Sequence, residues 1–321
     1  MQLRTALQQG LELLREGQVS APELTAGVLL CHVLRRERIY LYSHPEHELS
    51  ELEWLHYGRY LHERLKGKPT QYITHVQEFW GRDFRVEPGV LIPRPETEHV
   101  IEQALAVVRA WGGSPEPRGS SRPRSGQAAD VGQALACGGL QPVSSDNIPS
   151  HLTVAAPFRM LDIGTGSGIL AVTLALETGA RTYATDLSPK ALSVASGNAS
   201  KLGATCRFTQ CDLGSAYADQ SFDLVVSNPP YIKSTEIETL QREVREWEPR
   251  EALDGGSSGL DIYVRLIPEA ARLLRRGGWL VLEIGAAQGE TVPALFDTSW
   301  QTPKVVNDLA GLPRVVIAQK S

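Results

Sequence analysis

The chain contains 321 residues, of which 42% are hydrophobic and 21% are charged, and its formal net charge is −5. This length exceeds one average domain, so we expect a main domain with a smaller attachment. The acidic balance argues against a general nucleic-acid-binding protein, because phosphate contacts need a basic surface. We therefore expect no stable binding to nucleic acid.

Cysteine usage and hydropathy bear on the location of the protein. No stretch approaches the roughly 20 apolar residues of a membrane span, and the first residues lack the apolar segment of a secretory signal. The cysteines are spaced neither like metal ligands nor like a disulfide framework; they are Cys31, Cys137, Cys206 and Cys211. We expect a monomeric, cytoplasmic protein that binds neither a membrane nor a metal.

The first part of the chain has a helical pattern. Apolar residues recur near helical spacing between Leu3 and about Lys66. The segment Ser20-Ala21-Pro22-Glu23 is typical of a capped helix start. These patterns predict three or four helices, which form an N-terminal domain over residues 1–68.

Two further segments differ in composition from their surroundings. Residues 71–88 alternate aromatic and β-branched with polar residues around Gly81, which predicts a β-hairpin linker over residues 69–90. Residues 113–157 are rich in Gly, Ser, Pro and Arg without a sustained period, which predicts a flexible insertion. A solvated loop is favoured over contact with an acidic partner for its arginines, among them Arg118, Arg122 and Arg124.

From Phe158 onward, short apolar runs alternate with helical segments. The apolar runs are FRMLDIG, RTYATD, CRFTQCD, FDLVVSN and WLVLEIG, and VVNDLAG and RVVIAQ look like two closing strands. Alternating strands and helices predict an α/β fold, with a parallel sheet that is covered by helices on both faces. We assign residues 91–321 to this main domain.

A glycine-rich loop follows the first of these apolar runs and opens a helix, with the sequence Asp162-Ile163-Gly164-Thr165-Gly166-Ser167-Gly168. Glycines let the backbone approach a ligand closely. The GxGxG spacing after an acidic residue differs from the GxGxxG loop that binds a pyrophosphate. It favours a cationic ligand without phosphate, such as S-adenosylmethionine, which Asp162 can help to hold through the loop or a water. A tight turn capped by Asp162 is the alternative.

Two aspartates follow the next predicted strands. Asp186 ends the strand YATD, 18 residues after Gly168, where a carboxylate can accept hydrogen bonds from both ribose hydroxyls of the cofactor. Asp212 follows the strand CRFTQC and falls where the adenine edge would lie, although an aspartate in a turn needs no ligand to explain it. Leu213 belongs to the same predicted adenine pocket.

The segment Asn228-Pro229-Pro230-Tyr231 directly follows the apolar strand FDLVVS, at the edge where open α/β sheets bind ligands. An amide or aromatic amino nitrogen has a delocalised lone pair, so it must be held in line to attack a sulfonium methyl. The Asn228 side-chain carbonyl and the Pro229 backbone carbonyl can accept hydrogen bonds from the two N–H groups of such a nitrogen. They also favour the positive charge that develops on it. Tyr231 offers a flat packing face, and Pro230 stiffens the turn. A strand-terminating turn is the alternative.

These residues, together with LIPRPETE, EWEPREALDGGSSGLDIY and LEIGAAQGETV, resemble the HemK-type family of peptide chain release factor N5-glutamine methyltransferases. The resemblance covers nearly everything except the insertion. It implies a Rossmann-like class I methyltransferase domain with a mostly parallel seven-stranded sheet, preceded by a helical domain and a hairpin linker. It also implies that Gly164 to Gly168 form the cofactor loop, that Asp186 is the ribose acid and that Asn228 to Tyr231 form the substrate motif. The implied substrate is the glutamine of the release factor GGQ loop.

The chain departs from the family pattern at three places. Leu213 stands where many relatives carry an aromatic residue, which predicts aliphatic packing near the adenine and weaker cofactor binding. His75 stands where a glycine is usual in the hairpin segment, which leaves the local geometry there open. The insertion at 113–157 is absent from typical relatives, and we assign it no role.

Three alternative functions stay open at this point. They are methylation of a ribosomal protein glutamine, adenine-N6 methylation of nucleic acid, and a scaffold that holds the cofactor without turnover. The net charge and the lack of an evident target-recognition domain argue against DNA, and Asn228 and Tyr231 argue against a scaffold. We expect release factors to dock on the N-terminal helices, with a stabilising appendage as the alternative.

Overall fold

The computed structural model describes residues 1–112 and 158–321. The predicted insertion at 113–157, with its arginines and Cys137, lies outside the described residues. The described chain forms a group of N-terminal helices, a two-stranded hairpin and an α/β unit that is built on one seven-stranded sheet. No helix within these two described ranges has the length and apolar character that crossing a membrane requires.

Four helices lie within residues 1–68, in agreement with the three or four that the sequence pattern predicted there, and a fifth short helix follows. They are α1 (Leu3–Glu16), α2 (Pro22–Leu34), α3 (Arg38–Ser43), α4 (Glu51–Leu65) and α5 (Thr70–Thr74). A capping box between Ser50 and Glu53 pairs free backbone N–H groups at the start of α4. Tyr57 is fully buried in the core of this unit and approaches Gly10 so closely that a Cβ there would overlap the Tyr57 hydroxyl.

The hairpin is shorter than the segment predicted for it, because α5 occupies the first residues. It pairs β1 (Val76–Phe79) with β2 (Arg82–Arg85) in antiparallel fashion. Tyr72 of α5 is buried, and its hydroxyl donates a hydrogen bond to the Val90 carbonyl at 2.6 Å. Between α5 and β1, His75 has a φ of 59°, in the left-handed region that favours glycine. This conformation is the physical reason that a glycine suits position 75.

One seven-stranded sheet with the order β5-β4-β3-β6-β7-β9-β8 forms the centre of the α/β unit. Its strands are β3 (Arg159–Ile163), β4 (Arg181–Asp186), β5 (Cys206–Gln210), β6 (Phe222–Ser227), β7 (Leu274–Glu283), β8 (Lys304–Asn307) and β9 (Pro313–Gln319). Strands β3 to β7 run parallel, and β9 pairs antiparallel with both β7 and β8. The predicted fold class, including the two closing strands, is confirmed.

Helices cover both faces of this sheet. They are α6 (Glu98–Gly112), α7 (Ile169–Thr178), α8 (Pro189–Leu202) and α10 (Asp261–Leu273), whereas the short helix α9 (Arg242–Trp247) has no buried residue. Neighbouring residues of β3 belong to different apolar clusters: Met160 belongs to the cluster that includes Val100 of α6, and Leu161 to the cluster that includes Tyr263 of α10. The segments that follow the parallel strands therefore meet at one carboxyl edge, where such sheets bind ligands.

Candidate active site

Two cavities lie side by side at the carboxyl edge of the sheet. The glycine-loop cavity, of about 620 Å³, is lined by segments that follow β3, β4, β5 and β6. The α9 cavity, of about 490 Å³, is lined by residues of α9, by part of the segment 91–96, and by Tyr231 and Glu283. Four residues line both cavities: Leu91, Asn228, Pro229 and Ala252. The two cavities thus share a wall.

The glycine-rich loop between β3 and α7 forms one side of the glycine-loop cavity. Gly164 and Gly166 have φ values of 72° and 57°, and they line the cavity together with Thr165 and Ser167. Gly168, which the sequence motif assigned to ligand binding, is not part of this lining. A Cβ at Gly168 would lie 2.9 Å from a side chain of α8, so this glycine permits close packing of that helix.

Asp162 lies beneath the loop and outside the cavity lining, with 1% of its surface exposed. Its Oδ2 accepts hydrogen bonds from the Thr165 hydroxyl at 2.6 Å and from the Ala171 backbone N–H at 3.1 Å. Burial raises the pKa of Asp162 to about 7, although both hydrogen bonds act to lower it. Asp162 therefore shapes the loop, and its influence on a ligand passes through the loop.

Asp186 reaches the same loop from the end of β4. Its Oδ2 accepts a hydrogen bond from the Gly166 N–H at 2.9 Å, and its Oδ1 accepts one from the Ser188 N–H at 2.9 Å. The side chain is half-buried and lines the glycine-loop cavity. Because each carboxylate oxygen can accept a further hydrogen bond, Asp186 retains acceptor capacity for a pair of hydroxyl groups.

Asp212 and Leu213 follow β5 and line the same cavity. Asp212 forms an ion pair with Arg265 of α10, and both side chains are about half exposed. Leu213 has a φ of 49° and packs its half-buried side chain against an apolar cluster that includes Leu266. No pattern in the sequence pointed to Arg265, because an arginine on an amphipathic helix is usually a solvated residue.

The segment Asn228-Pro229-Pro230-Tyr231 leaves β6 between the two cavities. Pro230 lines only the glycine-loop cavity and Tyr231 lines only the α9 cavity, whereas Asn228 and Pro229 line both. The Nδ2 of Asn228 donates a hydrogen bond to the Thr97 Oγ1 at 3.1 Å. Groups bound in the two cavities would consequently meet at Asn228 and Pro229.

Tyr231 is held in place through both its backbone and its ring. A Cβ at Gly255 would lie 2.8 Å from the Tyr231 Cα, and the Gln288 Nε2 donates a hydrogen bond to the Tyr231 carbonyl at 3.3 Å. The Tyr231 hydroxyl donates to Glu283 Oε1 at 3.4 Å. Burial, reinforced by the charge of Glu283, raises the pKa of Tyr231, so this hydroxyl keeps its proton near neutral pH.

Sequence reasoning assigned no role to the charged residues of the α9 cavity, among them Arg94, Glu248 and Glu283. Glu283 ends β7 with 1% of its surface exposed, and burial raises its pKa to about 7. Glu248 is buried and accepts hydrogen bonds from Arg94 at 2.6 Å and from the Ile92 N–H at 3.1 Å. A carboxylate at the end of the apolar run WLVLE was the signal that could have identified Glu283.

A Rossmann-like sheet that carries a GxGxG loop, a strand-end acid and an NPPY segment at its carboxyl edge defines an S-adenosylmethionine-dependent methyltransferase. Two family models match the chain: the PrmC N-terminal domain over residues 5–74 and the Methyltransferase small domain over residues 143–246.

Three curated relatives match along nearly their whole length, and each is a release factor glutamine methyltransferase. The protein of Koribacter versatilis is 38% identical over 100% of this chain and 99% of its own. The protein of Nitratidesulfovibrio vulgaris is 36% identical over 99% and 95%, and that of Moorella thermoacetica is 37% identical over 100% and 99%. The chain therefore belongs to the release factor glutamine methyltransferase family, which confirms the resemblance seen in the sequence motifs.

Proposed function

We propose that this enzyme transfers a methyl group from S-adenosylmethionine to the side-chain amide nitrogen, N5, of the glutamine in the GGQ motif of peptide chain release factors. The observation that carries the proposal is the position of Asn228 and Pro229 in the wall between the two cavities. The names of the full-length relatives support the substrate. The alternatives, a ribosomal protein glutamine or an adenine, have no such support.

The glycine-loop cavity is the proposed cofactor site. When bound, S-adenosylmethionine supplies an electrophilic methyl group on a sulfonium, and its charged groups suit a cavity that is edged by carboxylates. Asp186 would accept the ribose hydroxyls, and the buried Asp162 Oδ1, which has no hydrogen-bond partner among the described residues, adds negative charge beneath the loop when ionised. The proposed cofactor contacts are Gly164, Thr165, Gly166, Ser167, Asp186, Asp212, Leu213 and Asn228.

The α9 cavity is the proposed site of the glutamine side chain. Its planar amide would pack beside Tyr231, while the Asn228 Oδ1 and the Pro229 carbonyl accept hydrogen bonds from its two N–H groups. This grip directs the nitrogen lone pair toward the neighbouring cavity and favours the positive charge that develops as nitrogen takes up the methyl group. The alkylated nitrogen is acidic enough to lose a proton to water or a carbonyl, so Tyr231 need not act as a base.

Discrimination among the many exposed glutamines of a cell requires contacts outside this pocket. We assign those contacts to the N-terminal helices. Arg64 of α4 donates a hydrogen bond to Glu243, which lines the α9 cavity, so these helices adjoin the proposed substrate site. On the same helix Leu52 and Leu55 are 61% and 66% exposed, and their spacing places them on one face.

The proposal is tested by methylation of an intact release factor with labelled S-adenosylmethionine, followed by mass spectrometry. The wild-type enzyme should add one methyl group to the GGQ glutamine. The Asn228→Ala variant should lose this activity and largely keep its cofactor affinity in calorimetry, because Asp186 and the glycine loop are unchanged. Methylation of some other substrate in place of the GGQ glutamine would refute the proposed function. Equal losses of cofactor binding and turnover would refute the role of Asn228.

A further inference from the structure

We propose that Thr97 and Glu283 are positioning residues, which orient the Asn228 side-chain amide so that its Oδ1, and not its Nδ2, faces the substrate nitrogen. This inference rests on the proposed function, because it concerns the group that grips the glutamine amide. It gives a role to two residues, in the segments LIPRPETE and LEIGAAQGETV, that the mechanism above does not use.

An asparagine side chain presents a problem at such a site. Its oxygen acceptor and its NH₂ donor have nearly the same shape, and rotation about the last side-chain bond exchanges them. Only the oxygen can accept an N–H bond of the substrate, whereas the reversed side chain would direct N–H against N–H. The site therefore needs a neighbouring group that favours one orientation of Asn228.

Thr97 is the direct neighbour. It is fully buried in a short 3₁₀ turn before α6, and its Oγ1 accepts the hydrogen bond from the Asn228 Nδ2. A hydroxyl can either accept a hydrogen bond from an amide NH₂ or donate one to an amide oxygen. Thr97 alone would consequently tolerate both orientations of Asn228.

Glu283 removes this ambiguity. Thr97 lies beside the Glu283 carboxyl, and a hydrogen bond from its hydroxyl would act, against burial, to lower the pKa of Glu283. Above the pKa of Glu283, about 7, its carboxylate has no proton to donate, so the single hydroxyl proton of Thr97 would be committed to it. The Thr97 oxygen can then only accept, which selects the Asn228 Nδ2. The Tyr231 hydroxyl donates to the same carboxylate, so Glu283 orients two residues of the substrate motif.

The location of Glu283 is costly for stability. Its Oε2 is buried without a hydrogen-bond partner in residues 1–112 and 158–321. Arg314 favours the charged form, but Glu96 and burial oppose it. An apolar residue at the end of this strand would avoid the desolvation of a carboxylate. The cost indicates a requirement of the site rather than of the fold.

Two substitutions of Thr97 separate the effect of its hydroxyl from the effect of its side-chain volume. Thr97→Val removes the hydroxyl at nearly constant volume, and Thr97→Ser retains it. Thr173→Val is the matched control, because Thr173 is also fully buried and its hydroxyl has no partner in the described parts of the chain. Glu283→Leu provides a second route to the same loss of orientation.

Calorimetry at pH 8, with S-adenosylhomocysteine present, measures how tightly each enzyme binds two ligands. One is an intact release factor, and the other is the same factor with glutamate in place of its GGQ glutamine. Wild-type enzyme should prefer glutamine, because the Asn228 Oδ1 repels a carboxylate. Thr97→Val and Glu283→Leu should reduce this preference about 10-fold and lower kcat by about 10- to 100-fold at unchanged cofactor affinity.

Thr97→Ser and Thr173→Val should keep the preference for glutamine. An unchanged preference in Thr97→Val or Glu283→Leu would overturn the inference, as would an equal loss in Thr173→Val. Failure of the proposed function is a separate outcome, since the wild-type enzyme would then leave the GGQ glutamine unmethylated.

Discussion

Arg64, in the last turn of α4, forms an ion pair at 2.5 Å with Glu243 of α9, and only 7% and 24% of the two side chains are exposed. The Arg64 Nη1 also donates a hydrogen bond to the Lys68 carbonyl at 3.4 Å. This cation therefore joins the N-terminal helices to a helix that lines the α9 cavity. The exposed fractions of both side chains are lower than those of an ordinary surface ion pair.

We expect Arg64→Met to lower the free energy of unfolding by about 2 kcal/mol, less than for a fully buried pair because Glu243 retains some solvent contact. The matched control is Arg15→Met, which breaks a pair with Glu23 in which both side chains are 56% exposed, and its effect on the free energy of unfolding should be much smaller. Urea denaturation measures both. Equal effects of the two substitutions would contradict the assignment of Arg64.

Asp186→Ala should weaken cofactor binding by about 1–3 kcal/mol, because a carboxylate that accepts two hydroxyl hydrogen bonds is lost. Part of the loss comes through the loop, since the Gly166 N–H also loses its acceptor. Asp212→Ala should cost less than about 1 kcal/mol, because that side chain is half exposed and pairs with Arg265. Calorimetry that finds unchanged affinity in Asp186→Ala would exclude its ribose role.

Burial raises the pKa of Glu283 from 4.5 to about 7, so folding favours its protonated form. The stability that this preference contributes is fully present below about pH 4.5 and is lost as the pH rises through about 7. Glu283→Gln cannot ionise, and it should gain up to roughly 3 kcal/mol over wild type between pH 5 and pH 8. Urea denaturation at several pH values tests this, and a constant difference between the two proteins would contradict it.

The exposed leucines of α4 allow a test of docking without truncation. We expect the double variant Leu52→Ser, Leu55→Ser to lower kcat/KM for an intact release factor about 10-fold and to leave cofactor affinity unchanged. Leu309→Ser is the control, because Leu309 is 99% exposed and lies between the last two strands. If the double variant methylates the intact factor as well as wild type does, docking occurs elsewhere.

Local sequence patterns were sufficient for the sheet and insufficient for α5. The strands from β3 to β7 are short apolar runs, and the parallel arrangement follows from the helices between them. The five residues of α5 are TQYIT, whose β-branched and aromatic members favour a strand. They form a helix because burial of Tyr72, with its hydroxyl on the Val90 carbonyl, outweighs this intrinsic preference.

In the candidate site, too, some residues could be predicted from local sequence patterns and others could not. Residues that follow a strand directly, such as Asp186 and Asn228, could be placed from their spacing. The contact between Thr97 and Asn228 joins residues 131 positions apart, and no local pattern records it. The motif also could not separate a ligand-facing glycine from Gly168, because that distinction depends on how closely α8 approaches.

The wall shared by the two cavities determines the kinetic course of the reaction. Among its residues, Leu91, Asn228, Pro229 and Ala252, only Asn228 carries an amide nitrogen, and that nitrogen donates a hydrogen bond to Thr97, so we expect the methyl group to pass directly from one bound molecule to the other. Initial-rate measurements should therefore give the intersecting lines of a ternary complex. A methyl group made chiral with hydrogen isotopes should arrive on the glutamine nitrogen with inverted configuration.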